Sequence, residues 1–119
     1  ELPEEERRRH LKLAFFAPGN DPSPWLTGWY AETKAMQKEA QAATSVDDFF
    51  GCGSAPVLDL QAQEDTVAPR CLAGFLRESL GERVTVQVIA KAGHALIPEQ
   101  PVAVSDALAA WVHRLENIG

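Results

Sequence analysis

The chain is poor in cysteine, has one methionine and one tyrosine, and holds no long apolar run; the cysteine and apolar shortages each remove a class of protein. Two cysteines, Cys52 and Cys71, cannot build a disulfide framework in 119 residues, and they lack the Cys-x-x-Cys spacing of a metal or redox site. A reduced, cytoplasmic setting is the default expectation. No stretch approaches the ~20 apolar residues of a bilayer-spanning helix. The opening Glu-Leu-Pro-Glu-Glu-Glu-Arg-Arg-Arg is charged where a signal peptide needs an apolar centre, so no membrane partner is expected. Basic charge is also short. Eleven Lys and Arg against 17 Asp and Glu leave a net charge of -6, which repels a phosphate backbone and argues against nucleic acid. The one basic cluster, Arg7-Arg8-Arg9-His10, follows Glu4-Glu5-Glu6 at i,i+3 and i,i+4 spacing and reads as intrahelical charge pairing. Nothing in the sequence calls for a metal or a cofactor.

What is present divides near Gly51. Hydrophobic residues make up 45% and charged residues 24%, an ordinary globular composition. Residues 4–16 and 29–43 have helical composition, separated by Pro18-Gly19-Asn20-Asp21-Pro22-Ser23-Pro24, which must interrupt any helix. The spacing then predicts a strand at Pro56–Ala62, a helix at about Ala68–Leu80, a strand at Val84–Ala90 and a helix at about Pro101–Glu116. Leu72, Phe75, Leu76 and Leu80 form an apolar stripe on the first of these helices, and Gly81 ends it. Val104, Leu108, Trp111, Val112 and Leu115 do the same for the second, with Pro101 in its first turn.

The second half is thus β-α-β-α with an expected parallel sheet. Two strands are too few for a parallel sheet to be stable alone, so residues 51–119 read as part of a larger α/β domain. Asp59, mid-strand between Leu58 and Leu60, stands where a buried parallel strand needs an apolar side chain.

Open α/β sheets collect reactive groups on loops at the carboxyl ends of strands. Here these are Gln61–Pro69, with Asp65, and Ala92–Pro101, with His94. The run Pro56–Asp65 with Val67-Ala68-Pro69, then Ala92-Gly93-His94 with Glu99-Gln100-Pro101, resembles the last two strand-loop units of α/β-hydrolases over about residues 55–115. The resemblance implies that Asp65 is the acid and His94 the base of a catalytic triad, in the acid-then-histidine order of that fold. Imidazole exchanges protons near neutral pH, and a carboxylate on Nδ1 fixes its tautomer and stabilises the imidazolium. Asp65 alone also suits a helix cap, His94 alone a surface loop, and Glu64 is a neighbouring rival carboxylate. Gly93 permits a tight turn before the histidine. His10 and His113 lie in helical patterns and read as ordinary surface residues.

The same resemblance implies that residues 1–50 are a partial helical cap or lid preceding residues 51–119 of the core domain. Phe15, Phe16, Trp25, Trp29 and Tyr30 are an aromatic cluster suited to a core or to an apolar pocket, with Trp25 the best substrate-binding candidate because it sits in the proline-rich loop. The nucleophile elbow, Gly-x-Ser-x-Gly between a strand and a helix, does not occur; Gly51-Cys52-Gly53-Ser54 precedes a strand instead of following one. The expectation is a hydrolase of a small apolar, ester-like substrate whose nucleophile and oxyanion donors lie in a missing N-terminal half of the same domain, this segment alone being inactive. The rival expectation is a non-catalytic binding module of the same fold.

Overall fold

In a computed structural model, which describes residues 2–51 and 53–117 apart from the side chain of Leu72, the two apolar runs after Gly51 are strands. They are β1, Val57–Ala62, and β2, Val84–Ile89, paired in parallel with a register running from Val57 opposite Val84 to Ala62 opposite Ile89. Residues opposite one another share a face, so Leu60, Ala62 and Ile89 point to one side and Asp59, Gln61, Val86 and Val88 to the other. The first side is covered. Pro101–Glu116 forms α5, with the proline at its first position, where the N–H it lacks would have no helical partner, and its Ala107 joins Ala62, Ile89 and Ala92 in a buried cluster. Val104 and Ala107 are the buried positions of α5, whereas Leu108 and Val112 of the expected stripe remain exposed.

The second face is only partly covered, Val84 being fully buried on it while Val86 is 38% and Val88 37% exposed. This accounts for Asp59. Asp59 lies on this partly covered face and is itself half-buried, and the Gln61 Nε2 amide donates to its Oδ2 at 2.9 Å. The expectation of a strand buried on both faces fails here for that reason.

The predicted helix over 68–80 is broken. A single 3-10 turn, Arg70–Leu72, is followed by a shorter α-helix, Phe75–Leu80. Gly74 is a weak helix former, and the Ala73 carbonyl, which a continuous helix would give to the amide of Arg77, instead accepts from Gln61 Nε2 at 2.9 Å. Gly81 closes this helix with φ +64°, its N–H donating to Arg77 O. Leu76 and Leu80 are half-buried, but Phe75 is 62% exposed and meets Phe50 at 5.4 Å between ring centroids. The side chain of Leu72 lies outside the described residues.

The first half supplies α1, Glu4–Phe15, and α2, Ala31–Ala43, so the Phe75–Leu80 helix is α3, and one unexpected turn, Leu96–Glu99, is α4. Arg8 makes the anticipated i,i+4 pair with Glu4 at 3.2 Å and also reaches Asp21 at 3.3 Å and Ser23 Oγ at 2.7 Å, tying α1 to the proline-rich loop. Leu11, Phe16 and Leu26 bury against Ala95, so this half shares a core with the second strand-end loop. No residue of α2 is buried.

The architecture is mixed α/β, and it is expanded. Its radius of gyration of 16.8 Å exceeds the about 13.5 Å of a compact domain of this length. Its accessible surface of 8756 Å² exceeds the about 6300 Å² of a compact monomer of this mass. No helix among the described residues is long and apolar enough to cross a membrane.

Candidate active site

Asp65 and His94 are brought together by the strand ladder running past its own ends. After Ala62 and Ile89, Gln63 N still donates to Ile89 O and Glu64 N to Ala92 O, both at 2.9 Å, so the next residues of the two loops must emerge side by side. Asp65 Oδ2 then lies 3.0 Å from His94 Nδ1. Glu64 spends its backbone on the ladder, and Asp65 is the carboxylate that reaches the ring.

The Asp65 carboxylate divides its work between its oxygens. Oδ1 accepts from Val67 N and Ala68 N, each at 2.8 Å, closing a turn in the manner of a cap although no helix starts there; Oδ2 serves the imidazole. Burial pushes the Asp65 carboxyl up, but the bonds from Ala68 N, His94 and Val67 N outweigh it and hold the group below its ordinary range. An ionised carboxylate can only accept, so the shared proton resides on His94 Nδ1 and Nε2 is left to meet a reacting group. The accessibility is graded to match, the Asp65 side chain being 11% exposed and His94 37%. Both open onto a cleft of about 430 Å³ bordered by Gln61, Ala68, Leu76 and Leu96.

The ends of α1 hold both loops. The last carbonyls of a helix have no partner within it, and Ala14 O accepts from Thr66 Oγ1 at 3.3 Å while Phe15 O accepts from Ala95 N at 2.9 Å. The residues after Asp65 and after His94 are thus fastened to one helix terminus. The Phe15 ring also lies 5.8 Å from the His94 ring, centroid to centroid. Gly93 is required by this docking more than by a turn, since a Cβ there would fall 2.7 Å from Phe15 O and 2.8 Å from Ala17 N. Glu99 completes the frame, accepting from Gly93 N at 2.5 Å, Ala17 N at 2.6 Å and Asn20 Nδ2 at 2.8 Å. Glu99 stands in the resembling motif and Phe15 in the aromatic cluster, but sequence reasoning assigns neither its bonds to the histidine loop because their partners lie far along the chain.

Trp25 does not border the cleft of the dyad. It packs on Phe15 at 5.5 Å, Phe16 at 5.4 Å and Trp29 at 6.4 Å, and lines a separate apolar pocket of about 250 Å³ that also touches Leu11 and His10. Phe15 lines this pocket and also faces the imidazole. His113 pairs with Glu116 at 3.2 Å on the exposed face of α5. Cys71 is a free, exposed thiol, and Cys52 lies outside the described residues. Among the described residues no group of three or more His, Cys, Asp or Glu side chains is placed to hold a metal.

No family model, curated protein or solved structure matches the chain. What it does must be carried by the chemistry of the site itself.

Proposed function

We propose that this chain is the C-terminal part of an α/β-hydrolase core, in which Asp65 and His94 are the acid and base of a triad acting on a small, apolar, ester-like substrate. The observation that carries this is the Asp65–His94 bond at the carboxyl ends of adjacent parallel strands, with the carboxylate sheltered and the imidazole open. His94 Nε2 would take the proton of a nucleophile as it attacks the substrate carbonyl and return it to the leaving group, while Asp65 stabilises the imidazolium formed between. Nucleophile and oxyanion donors would come from a further part of the same domain. The edge of β1 that has no strand beside it among the described residues, the exposed Val86 and Val88 and the excess surface all suit that missing neighbour. Residues 1–50 would act as a partial cap, and Trp25 as a wall of the apolar pocket behind Phe15. An exposed free thiol at Cys71 suits a reducing, cytoplasmic setting.

A binding module of the same fold is the rival, favoured by the absence of a nucleophile elbow from these 119 residues. The test is hydrolysis of p-nitrophenyl esters of graded acyl length by the intact protein and its His94→Ala variant. Turnover that drops by roughly 10³-fold or more in the variant supports the triad. Equal turnover in both removes His94 from the chemistry, and no turnover in either favours the binding module.

A further inference from the structure

The geometry points to Glu99 as the positioning residue of the dyad: its carboxylate clamps the His94 loop to the chain leaving α1 and thereby sets the distance between the imidazole and Asp65. The catalytic consequence rests on the hydrolase reading, whereas the positioning is measurable without turnover.

A carboxylate is acceptor-only and has room on two oxygens for several donors. Glu99 uses both. Oε2 takes the N–H of Gly93, the residue directly before His94, at 2.5 Å, while Oε1 takes Ala17 N at 2.6 Å and Asn20 Nδ2 at 2.8 Å. These are short, charge-assisted bonds, and two of them reach back across 82 and 79 residues of chain. On the other side of His94, Ala95 N donates to Phe15 O at 2.9 Å. His94 is therefore held between two anchored neighbours.

The clamp extends to the start of the loop. Asn20 Nδ2 also donates to Lys91 O at 3.0 Å, and Gln100 Nε2 donates to the same carbonyl at 2.9 Å, at a residue whose φ of +57° needs such support. Asn20 thus bridges the Lys91 carbonyl and the Glu99 carboxylate. Gly93 lets the surfaces meet, because any Cβ would strike the backbone of Phe15–Ala17. Glutamine cannot replace Glu99: with its one oxygen serving Ala17 and Asn20, its NH2 would face the N–H of Gly93, donor against donor. His94 would then lose its fixed approach to Asp65, and misplacement on the order of 1 Å at a reacting group costs roughly 10²-fold.

The test compares the intact wild-type protein with Glu99→Gln and Asn20→Ala, reading the His94 Nδ1–H proton by NMR. In Glu99→Gln that proton is expected to exchange with water roughly tenfold faster, as loss of a charge-assisted bond opens the loop more often. The amides of the β1–β2 ladder should keep their protection, which a general loss of stability would not allow. In esterase assays kcat should fall roughly 10- to 100-fold with little change in KM. An unchanged Nδ1–H proton in folded Glu99→Gln overturns the proposal. Should that variant not fold, Asn20→Ala decides: faster Nδ1–H exchange with an intact ladder supports the clamp, and unchanged exchange overturns it. A protein that shows the NMR effect but no esterase activity keeps the clamp and loses the hydrolase reading.

Discussion

Asp65 Oδ2 and His94 Nδ1 sit 3.0 Å apart across a separation of 29 residues, and the carboxylate is the more sheltered of the two, 11% against 37% exposed. Under the proposed mechanism the sheltered member accepts and orients, and the open member would pass the proton. Asp65→Asn should break this division, because an amide can turn an N–H toward Nδ1 and shift the imidazole proton to Nε2. In the intact protein kcat is expected to fall by roughly 10³- to 10⁴-fold with KM nearly unchanged. Steady-state kinetics on a single p-nitrophenyl ester checks it, and a loss confined to KM would speak against an orienting role.

The same carboxylate couples the site to acid stability. Its folded-state pKa lies below the ordinary 3.8 because the bonds to Ala68 N, His94 and Val67 N outweigh the effect of burial. A depressed carboxyl stabilises the fold fully above its unfolded value and loses that contribution as pH falls through the folded value. Urea unfolding of wild type and Asp65→Asn from about pH 5 to about pH 2 should therefore show a stability gap that closes below 3.8. Groups distant from Asp65 cancel in the difference. A gap that stays constant with pH would separate Asp65 from acid lability.

Much of this arrangement was legible in residue order, for reasons that are local. Gly81 and Pro101 mark the end of α3 and the start of α5 by backbone chemistry alone, and the two apolar runs became β1 and β2 within a residue of their expected limits. The break at Ala73–Gly74 was not legible, because it depends on a side chain twelve residues earlier, Gln61, reaching the Ala73 carbonyl. Asp59 was puzzling only under the assumption that both sheet faces are covered. The contacts of Glu99 and Phe15 with the histidine loop were not legible, because they exist only once α1 has docked on it.

Two glycines should fail differently when replaced by alanine. At Gly93 the new Cβ meets immovable backbone, Phe15 O at 2.7 Å, so Gly93→Ala is expected to cost about 1–3 kcal/mol and to depress turnover by displacing His94. At Gly81 nothing lies within 4 Å of the added atom, and the cost comes from φ +64° alone, again about 1–3 kcal/mol. Gly81→Ala should leave turnover per folded molecule untouched. Chemical denaturation paired with kinetics separates them, and equal kinetic damage in both variants would contradict the docking of Gly93 on α1.

Trp25 is asked to be both core and pocket wall. It contacts three other aromatic rings, so Trp25→Ala should destabilise the protein by about 2–4 kcal/mol, somewhat less than a fully buried tryptophan. If the pocket behind Phe15 receives substrate, KM for long-acyl esters should also rise more than KM for the acetate, since each lost apolar contact scales with buried chain. A KM series that is flat in acyl length would leave Trp25 with the structural task only.

The exposed part of the second sheet face makes the strongest claim about the chain by itself. Val86 and Val88 are more than a third exposed on a strand face, Phe75 of α3 is 62% exposed, and among the described residues no strand lies on the outer edge of β1. Apolar surface of this kind is worth about 25 cal/mol per Å² when covered. The excess of 8756 Å² over the about 6300 Å² of a compact monomer leaves ample area for a neighbouring layer. The 119-residue polypeptide is therefore expected to self-associate, to bind a hydrophobic dye and to melt without a sharp transition. Size-exclusion chromatography and calorimetry read these directly. A monomer with one cooperative melt would mean that α2 or the loops fold over the exposed part of that face in solution, and the case for a missing half of the domain would lapse.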